Sequence, residues 1–242
     1  AAEGAAALAA ALEASGTRTT LAACDVTDRA DLAHLMARID EDPAPLRAVF
    51  HTAGTLDDRL LDQLDAGALA ATTAPKLQAA THLDELTAGR DLDAFVLYSS
   101  VVGTLGNIGQ ANYALANAAR DALAARRRAA GLPALRLAGG PWADGGMTRG
   151  TAESQLKRVG LVPLAPDAAL SALDTALAAD AAGPATLVAA RVDWARATPA
   201  HQTTRPRPFL AAFTETGTPP GAAPAAPTPE DAAGPLRTLL LG

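Results

Sequence analysis

A tyrosine and an asparagine four residues apart, Tyr113 and Asn117, stand in an Ala-rich run that follows a glycine loop, and the loop follows Ser99 and Ser100. On a helix, positions i and i+4 share a face, so a phenol and a carboxamide would look into the same space. A phenol of ordinary pKa, about 10, keeps its proton at neutral pH and releases it efficiently only where a nearby cation favours the phenolate. Lys76, in the pair Pro75-Lys76, is the candidate cation. It falls in a helical stretch that alternating strands and helices would bring beside the Tyr113 helix. The Ser100 hydroxyl could donate to a carbonyl oxygen that gains negative charge. Singly, each of these residues has a plainer use: a tyrosine packs, a lysine is solvated, a serine caps a strand end. Together they describe proton donation to a carbonyl.

Other chemistries fit less well. Ser100 is not in a Gly-x-Ser-x-Gly elbow, which removes the usual support for a serine hydrolase. Gly103, Gly106 and Gly109 lack the Gly-x-Gly-x-x-Gly order of a dinucleotide fingerprint, and Asp121 falls within the following helix rather than at the next strand end. The loop therefore reads as a pocket wall. His34, His51, His82 and His201 show no metal-ligand spacing with one another or with Cys24, so no metal is expected. The formal charge is −6, from 20 Lys and Arg against 26 Asp and Glu. Without a basic stripe carrying aromatics, nucleic acid is not an expected partner. Arg126-Arg127-Arg128 reads as a solvated helix end that complements the dipole. A single cysteine, Cys24, excludes an internal disulfide and reads as a buried residue of a reducing compartment. There is no basic leader and no apolar run of about 18 residues, so the expectation is a cytoplasmic protein with no membrane partner.

Which elements would position these groups? Phe95–Ser100 is an apolar run ending in hydroxyls, a buried strand, and the stretch from Gln110 reads as a helix. Upstream, Ala2–Ala14 reads as a helix and Thr19–Cys24 as a short strand. A helix through Ile39 follows, capped by Thr27 or Asp28. Leu46–Phe50 is a strand ending in His51-Thr52-Ala53-Gly54, and a long helix runs from about Ala66 to Leu86. Downstream come a strand at Leu135–Ala138, a Gly/Pro/Trp loop from Gly139 to Gly146, helical stretches near Ser154 and Ala168, and a strand at Ala185–Ala190. Near-continuous apolar strands alternating with helices predict an α/β fold, a Rossmann-like doubly wound parallel sheet that binds ligands at its carboxyl edge. From about Thr214 the composition turns to Pro and Ala, as a linker does.

Ser100, Tyr113, Asn117 and the upstream Lys76 resemble the active site of the short-chain dehydrogenase/reductase superfamily, and most closely the ketoreductase domains of modular type I polyketide synthases. There the lysine and asparagine exchange places relative to ordinary members, as Tyr113-x-x-x-Asn117 with Lys76 does here. His51-Thr52-Ala53-Gly54, Leu56-Asp57-Asp58, Gly109–Tyr113, Gly140-Pro141-Trp142 and Val192–Ala195 recur in the same order. The resemblance implies NADPH-dependent reduction of the β-keto group of a thioester carried by an acyl carrier protein, in a polypeptide with other synthase domains. Tyr113 would donate the proton, Lys76 would lower the phenol's pKa and hold the nicotinamide ribose, Ser100 would orient the carbonyl, and Asn117 would support the relay. Asp25 and Val26 would flank the adenine, and Ala53, Gly54, Pro141 and Trp142 the ribose and nicotinamide. Leu56-Asp57-Asp58 resembles the B-type motif for a D-configured hydroxyl, and Leu105 stands where A-type domains place tryptophan. Gly139 departs from the family's usual tryptophan. The resemblance implies a catalytic domain over 1–213, incomplete at its N-terminus, and a linker over 214–242 toward a carrier domain. The phosphate loop and the arginine for the 2′-phosphate would lie upstream, in a strand, loop, helix and strand of ~30 residues or more. Two other readings share the residues: a free-standing carbonyl reductase, and an inactive reductase-like scaffold within a synthase.

Overall fold

The computed structural model describes residues 4–143, 156–179, 183, 185–203 and 205–214, apart from the side chains of Ala212 and Thr214. The linker expected beyond Thr214 and the helical stretch near Ser154 lie outside them. A parallel sheet forms the centre, its strands β1 (Ala48–His51), β2 (Ala94–Ser100), β3 (Leu135–Gly139) and β5 (Thr186–Ala189) lying side by side in that order. His51 pairs with Leu97, Ser100 with Gly139, and Gly139 with Ala189. All the carboxyl ends therefore open on one edge, where a parallel sheet presents ligand-binding residues.

The pleat of β2 shows why both faces must be covered. Phe95 and Leu97 point into one core with Leu32 and Met36 of α2 (Arg29–Asp40), Leu83 of α4 (Ala79–Thr87) and Leu123 of α6 (Ala111–Ala129). Ala94 and Val96 point into a second core with Leu135, Leu137 and Leu173 of α7 (Pro166–Ala178). Phe95 is 1% exposed, and truncating a ring so enclosed costs about 3–5 kcal/mol. A smaller unit adjoins β5. In it β4 (Leu161–Val162) pairs antiparallel with β6 (Arg191–Val192), followed by α8 (Trp194–His201), and Leu161 and Leu210 pack on Val101 and Leu105.

Several sequence expectations shift. The first helix, α1, spans Ala5–Ala14. Asp28, not Thr27, caps α2, accepting from the backbone N–H groups of Ala30 and Asp31. Thr19–Cys24 forms no strand; it has no ladder partner among the described residues, and an unpaired segment is not a strand whatever its propensity. Cys24 is half-buried against the first core. The long helix is broken in character: α3 (Ala66–Thr73) gives way to a π turn at Ala74–Gln78 before α4 begins. Arg127 is not solvated. It is 2% exposed, pairs with Asp84 at 2.7 Å and stacks 3.9 Å from the Phe95 ring centre, whereas Arg126 remains the outward arginine.

Candidate active site

Pro75 creates the π turn that carries Lys76. A proline has no N–H to give the carbonyl four residues back, here that of Ala71, and helices commonly accommodate such a gap with a π bulge. The Thr55 hydroxyl donates to the Ala71 carbonyl at 2.8 Å and replaces the lost bond. The buried His51, at the end of β1, holds the same turn: its Nε2 lies 3.0 Å from the Pro75 carbonyl. Because a carbonyl only accepts, Nε2 carries the proton. Burial and the nearby Arg120 push the imidazole down to about 4, so it is neutral at physiological pH.

Lys76 is consequently aimed inward and is 3% exposed. Its Nζ donates to Asn117 Oδ1 at 3.2 Å and sits 4.9 Å from the Tyr113 ring centre. Gly54 makes room for it, since a Cβ there would lie 2.8 Å from Lys76 Cε. Burial, then the charges of Arg120 and Arg136, lower the ammonium to about 7.

The second half of the site comes from β2 and α6. Asn117 Oδ1 also accepts from Ser99 Oγ at 3.0 Å, and its Nδ2 donates to the Tyr113 carbonyl at 2.8 Å, which fixes the orientation of the amide. Ser100 Oγ accepts from the Val102 N–H at 3.2 Å, the strand-end capping role, and its hydroxyl lines the same cleft as the Tyr113 phenol. Burial raises the phenol's pKa, while the Ser100 and Asn117 side chains and the charge of Arg120 pull it back and Asp58 pushes it up. Tyr113 is thus an acid that holds its proton at neutral pH. Arg120 acts on the phenol through space, and the Lys76 Nζ stands over the Tyr113 ring.

These groups open into a cleft of about 780 Å³ at the carboxyl edge of the sheet. Lys76, Ser100, Tyr113, Gly54, Pro141 and Trp142 line it, as do Leu56 and Asp58. Asn117 lies just behind, fully buried. Asp57 turns aside to pair with Arg59 at 2.9 Å, and the half-buried Ala53 presents its carbonyl to Arg120. Asp25 is exposed and accepts from Thr27, and Val26 packs on the first core; neither reaches the cleft wall. Leu105 does not line the cleft. It lies on the short helix α5 (Val102–Leu105), 4% exposed against Leu161 and Leu210, with its carbonyl held by Arg207. An apolar residue at the end of a short helix is drawn into the nearest core.

The glycine loop does build the wall. Gly103 lets α5 approach α6, since a Cβ there would lie 3.1 Å from Asn117 Cβ and 3.2 Å from the Ala118 nitrogen. Gly109 accepts from the Arg59 N–H at 2.8 Å, and Gln110 donates to Asp58 at 2.9 Å, which ties this loop to the segment after β1. Gln110 and Ser99 were not evident as site residues in the sequence. Nor was Asn112, which donates to the Asp57 carbonyl and to Thr72 Oγ1 and accepts from the Tyr113 N–H. Arg120 was missed as well, although it lies at i+7 from Tyr113 and so on the face already carrying Tyr113 and Asn117.

Comparison with known proteins agrees with this geometry. A family profile described as KR domain matches residues 1–144. Polyketide synthase GfsA of Streptomyces halstedii is 48% identical over 210 residues, covering 86% of this chain and 3% of that protein. The pikromycin polyketide synthase component PikAIII of Streptomyces venezuelae is 45% identical over 233 residues, covering 96% of this chain and 15% of that protein. Among solved structures, a ketoreductase from the first module of phoslactomycin biosynthesis in Streptomyces sp. HK803 superposes with a TM-score of 0.84 at 43% identity, over 90% of this chain and 50% of that one. An A1-type ketoreductase gives 0.83 at 44%, over 88% and 44%. The chain thus spans a small part of the synthases it matches and about half of the solved ketoreductases.

Proposed function

This chain belongs to the ketoreductase domain family of modular polyketide synthases, and from that premise we propose that it reduces the β-keto group of a thioester carried by an acyl carrier protein, with NADPH as the reductant. The observation that carries the reading is the array of buried Lys76, Asn117 and Tyr113 with the half-buried Ser100, set at a cleft on the sheet's carboxyl edge.

The residues fit a nicotinamide ribose. Among the described residues Lys76 Nζ has one hydrogen-bond acceptor, Asn117, so a buried ammonium keeps donors for sugar hydroxyls. Bound there, NADPH would supply the hydride that adds to the carbonyl carbon. Ser100 and Tyr113 donate to the carbonyl oxygen, and this contact strengthens as negative charge develops on it. Tyr113 then transfers its phenolic proton to that oxygen, leaving the alcohol and a phenolate. Asn117 holds Lys76 in register with the phenol throughout.

Support for a D-configured product comes from Leu56-Asp57-Asp58, of which Leu56 and Asp58 line the cleft. Leu105, turned into the core, lends none. The carrier protein and the neighbouring synthase domains are partners by the same family reading. The test is incubation of the intact module with NADPH and a β-ketothioester, followed by chiral chromatography of the β-hydroxy product. A D-product supports the full reading. An L-product overturns the stereochemical part, and no reduction overturns the activity.

A further inference from the structure

Arg120 is fully buried, and every hydrogen bond found for it among the described residues goes to a neutral backbone carbonyl. Nε donates to the Lys76 carbonyl at 2.9 Å, Nη2 to the Ala53 carbonyl at 3.2 Å, and Nη1 to the carbonyl of Tyr98. Those acceptors belong to the π turn, to the loop after β1, and to β2 two residues before Ser100. One guanidinium therefore bridges the three segments that deliver the lysine, the cleft glycine and the serine. Its rigid planar fork suits three fixed acceptors in a way a lysine cannot reproduce. We infer that Arg120 is a positioning residue of the reductase site: it locks these three segments in one frame and keeps a permanent positive charge behind Tyr113. The inference rests on the reductase reading above.

The charges around it define its effect. Lys76 faces it from the π turn, His51 from β1, and Arg136 from β3, the last paired with Asp121 of α6; Tyr113 shares its own helix face, and Asp58 approaches Tyr113 from the loop after β1. No carboxylate hydrogen-bonds Arg120 among the described residues, so its charge is not neutralised locally. A fixed cation near Tyr113 favours the phenolate left by proton transfer. The same charge opposes the Lys76 ammonium, which burial and Arg120 bring to about 7, while Arg120 itself, at about 10, stays protonated. At neutral pH the lysine exchanges a proton easily and the arginine does not.

The test compares the parent module with Arg120→Met and Arg120→Lys by the pH profile of kcat, by KM, and by the pH dependence of unfolding, which needs no turnover. Without Arg120 the Lys76 ammonium titrates higher. In Arg120→Met the alkaline limb of kcat then moves up by about one pH unit, and the extra proton taken by the unfolded chain is seen only over a correspondingly higher pH range. Its kcat at the plateau falls roughly 10- to 100-fold, as expected for mispositioned groups. Arg120→Lys keeps the limb within a few tenths of a unit of the parent but loses part of kcat with the fork. A folded Arg120→Met with limb and proton uptake unmoved overturns the inference. If Arg120→Met does not fold, Arg120→Lys decides: parental kcat overturns it, and reduced kcat with an unmoved limb sustains it. A parent without ketoreductase activity would defeat the functional reading, while the proton-uptake comparison still reports on Arg120 and Lys76.

Discussion

Lys76→Met should stabilise the protein below neutral pH while removing its activity. The parent holds an ammonium with no counter-ion among its hydrogen-bond partners, 3% exposed, beside two arginines. The folded protein lowers the group from 10.5 to about 7. At about 1.4 kcal/mol per pH unit, the folded state carries a penalty of up to roughly 5 kcal/mol wherever the lysine is charged. The direction follows from proton counting. Above 10.5 both states are neutral and the penalty is absent; between 10.5 and about 7 only the unfolded chain is protonated, so stability falls as pH falls; below about 7 the penalty is complete. Methionine matches the aliphatic stem, carries no charge and forfeits the bond to Asn117, which returns about 1–2 kcal/mol. The expected result is a variant up to about 3–4 kcal/mol more stable than the parent at pH 6, with the gap vanishing or reversing by pH 10.5. Urea unfolding followed by circular dichroism across that range measures it. A variant less stable than the parent at pH 6, by the same amount at every pH, would refute the argument that Lys76 is held against its own solvation.

Other changes act through different contacts. Gly54→Ala puts a Cβ 2.8 Å from Lys76 Cε, so kcat should fall about 10- to 100-fold with little loss of stability, as read by steady-state kinetics and thermal melting. Arg127→Met leaves Asp84 with only the outward Arg126 and removes the bonds to the Pro133 and Asp84 carbonyls, and denaturant titration should show a loss of about 2–3 kcal/mol. Gln110→Ala breaks the 2.9 Å tie to Asp58, which lines the cleft, and the enantiomeric ratio of the product should erode about three- to tenfold on chiral chromatography.

The strand β2 and helix α6 were legible because an apolar run and a 3.6-residue pattern are local signals, and the exchanged Lys76 and Asn117 were legible because resemblance supplied their pairing. Contacts set by distant parts of the chain were not. Thr19–Cys24 has strand composition, but a strand exists only where a neighbour accepts its ladder bonds. Pro75 announces a disturbance, yet only the fold reveals that Thr55 repairs it and that the resulting π turn aims Lys76 inward. Arg127 sits in a basic triplet that locally resembles a solvated end, and Asp84, its partner, is 43 residues away. The i+7 position of Arg120 places it on the face of Tyr113, but its partners, the carbonyls of Lys76, Tyr98 and Ala53, are set by tertiary structure alone. Leu105 shows the reverse case: its position by resemblance lies next to the cleft, while packing against Leu161 and Leu210 takes its side chain away.

The central claim is that Tyr113 supplies the proton that completes carbonyl reduction. Tyr113→Phe keeps the ring beside Lys76 and removes only the hydroxyl. Cofactor binding followed by NADPH fluorescence, together with single-turnover reduction of a β-ketothioester in the intact module, tests this most directly. The account predicts cofactor affinity within a few-fold of the parent and a reduction rate lower by at least about 100-fold. A Tyr113→Phe protein that binds cofactor and reduces the thioester at the parental rate would contradict it.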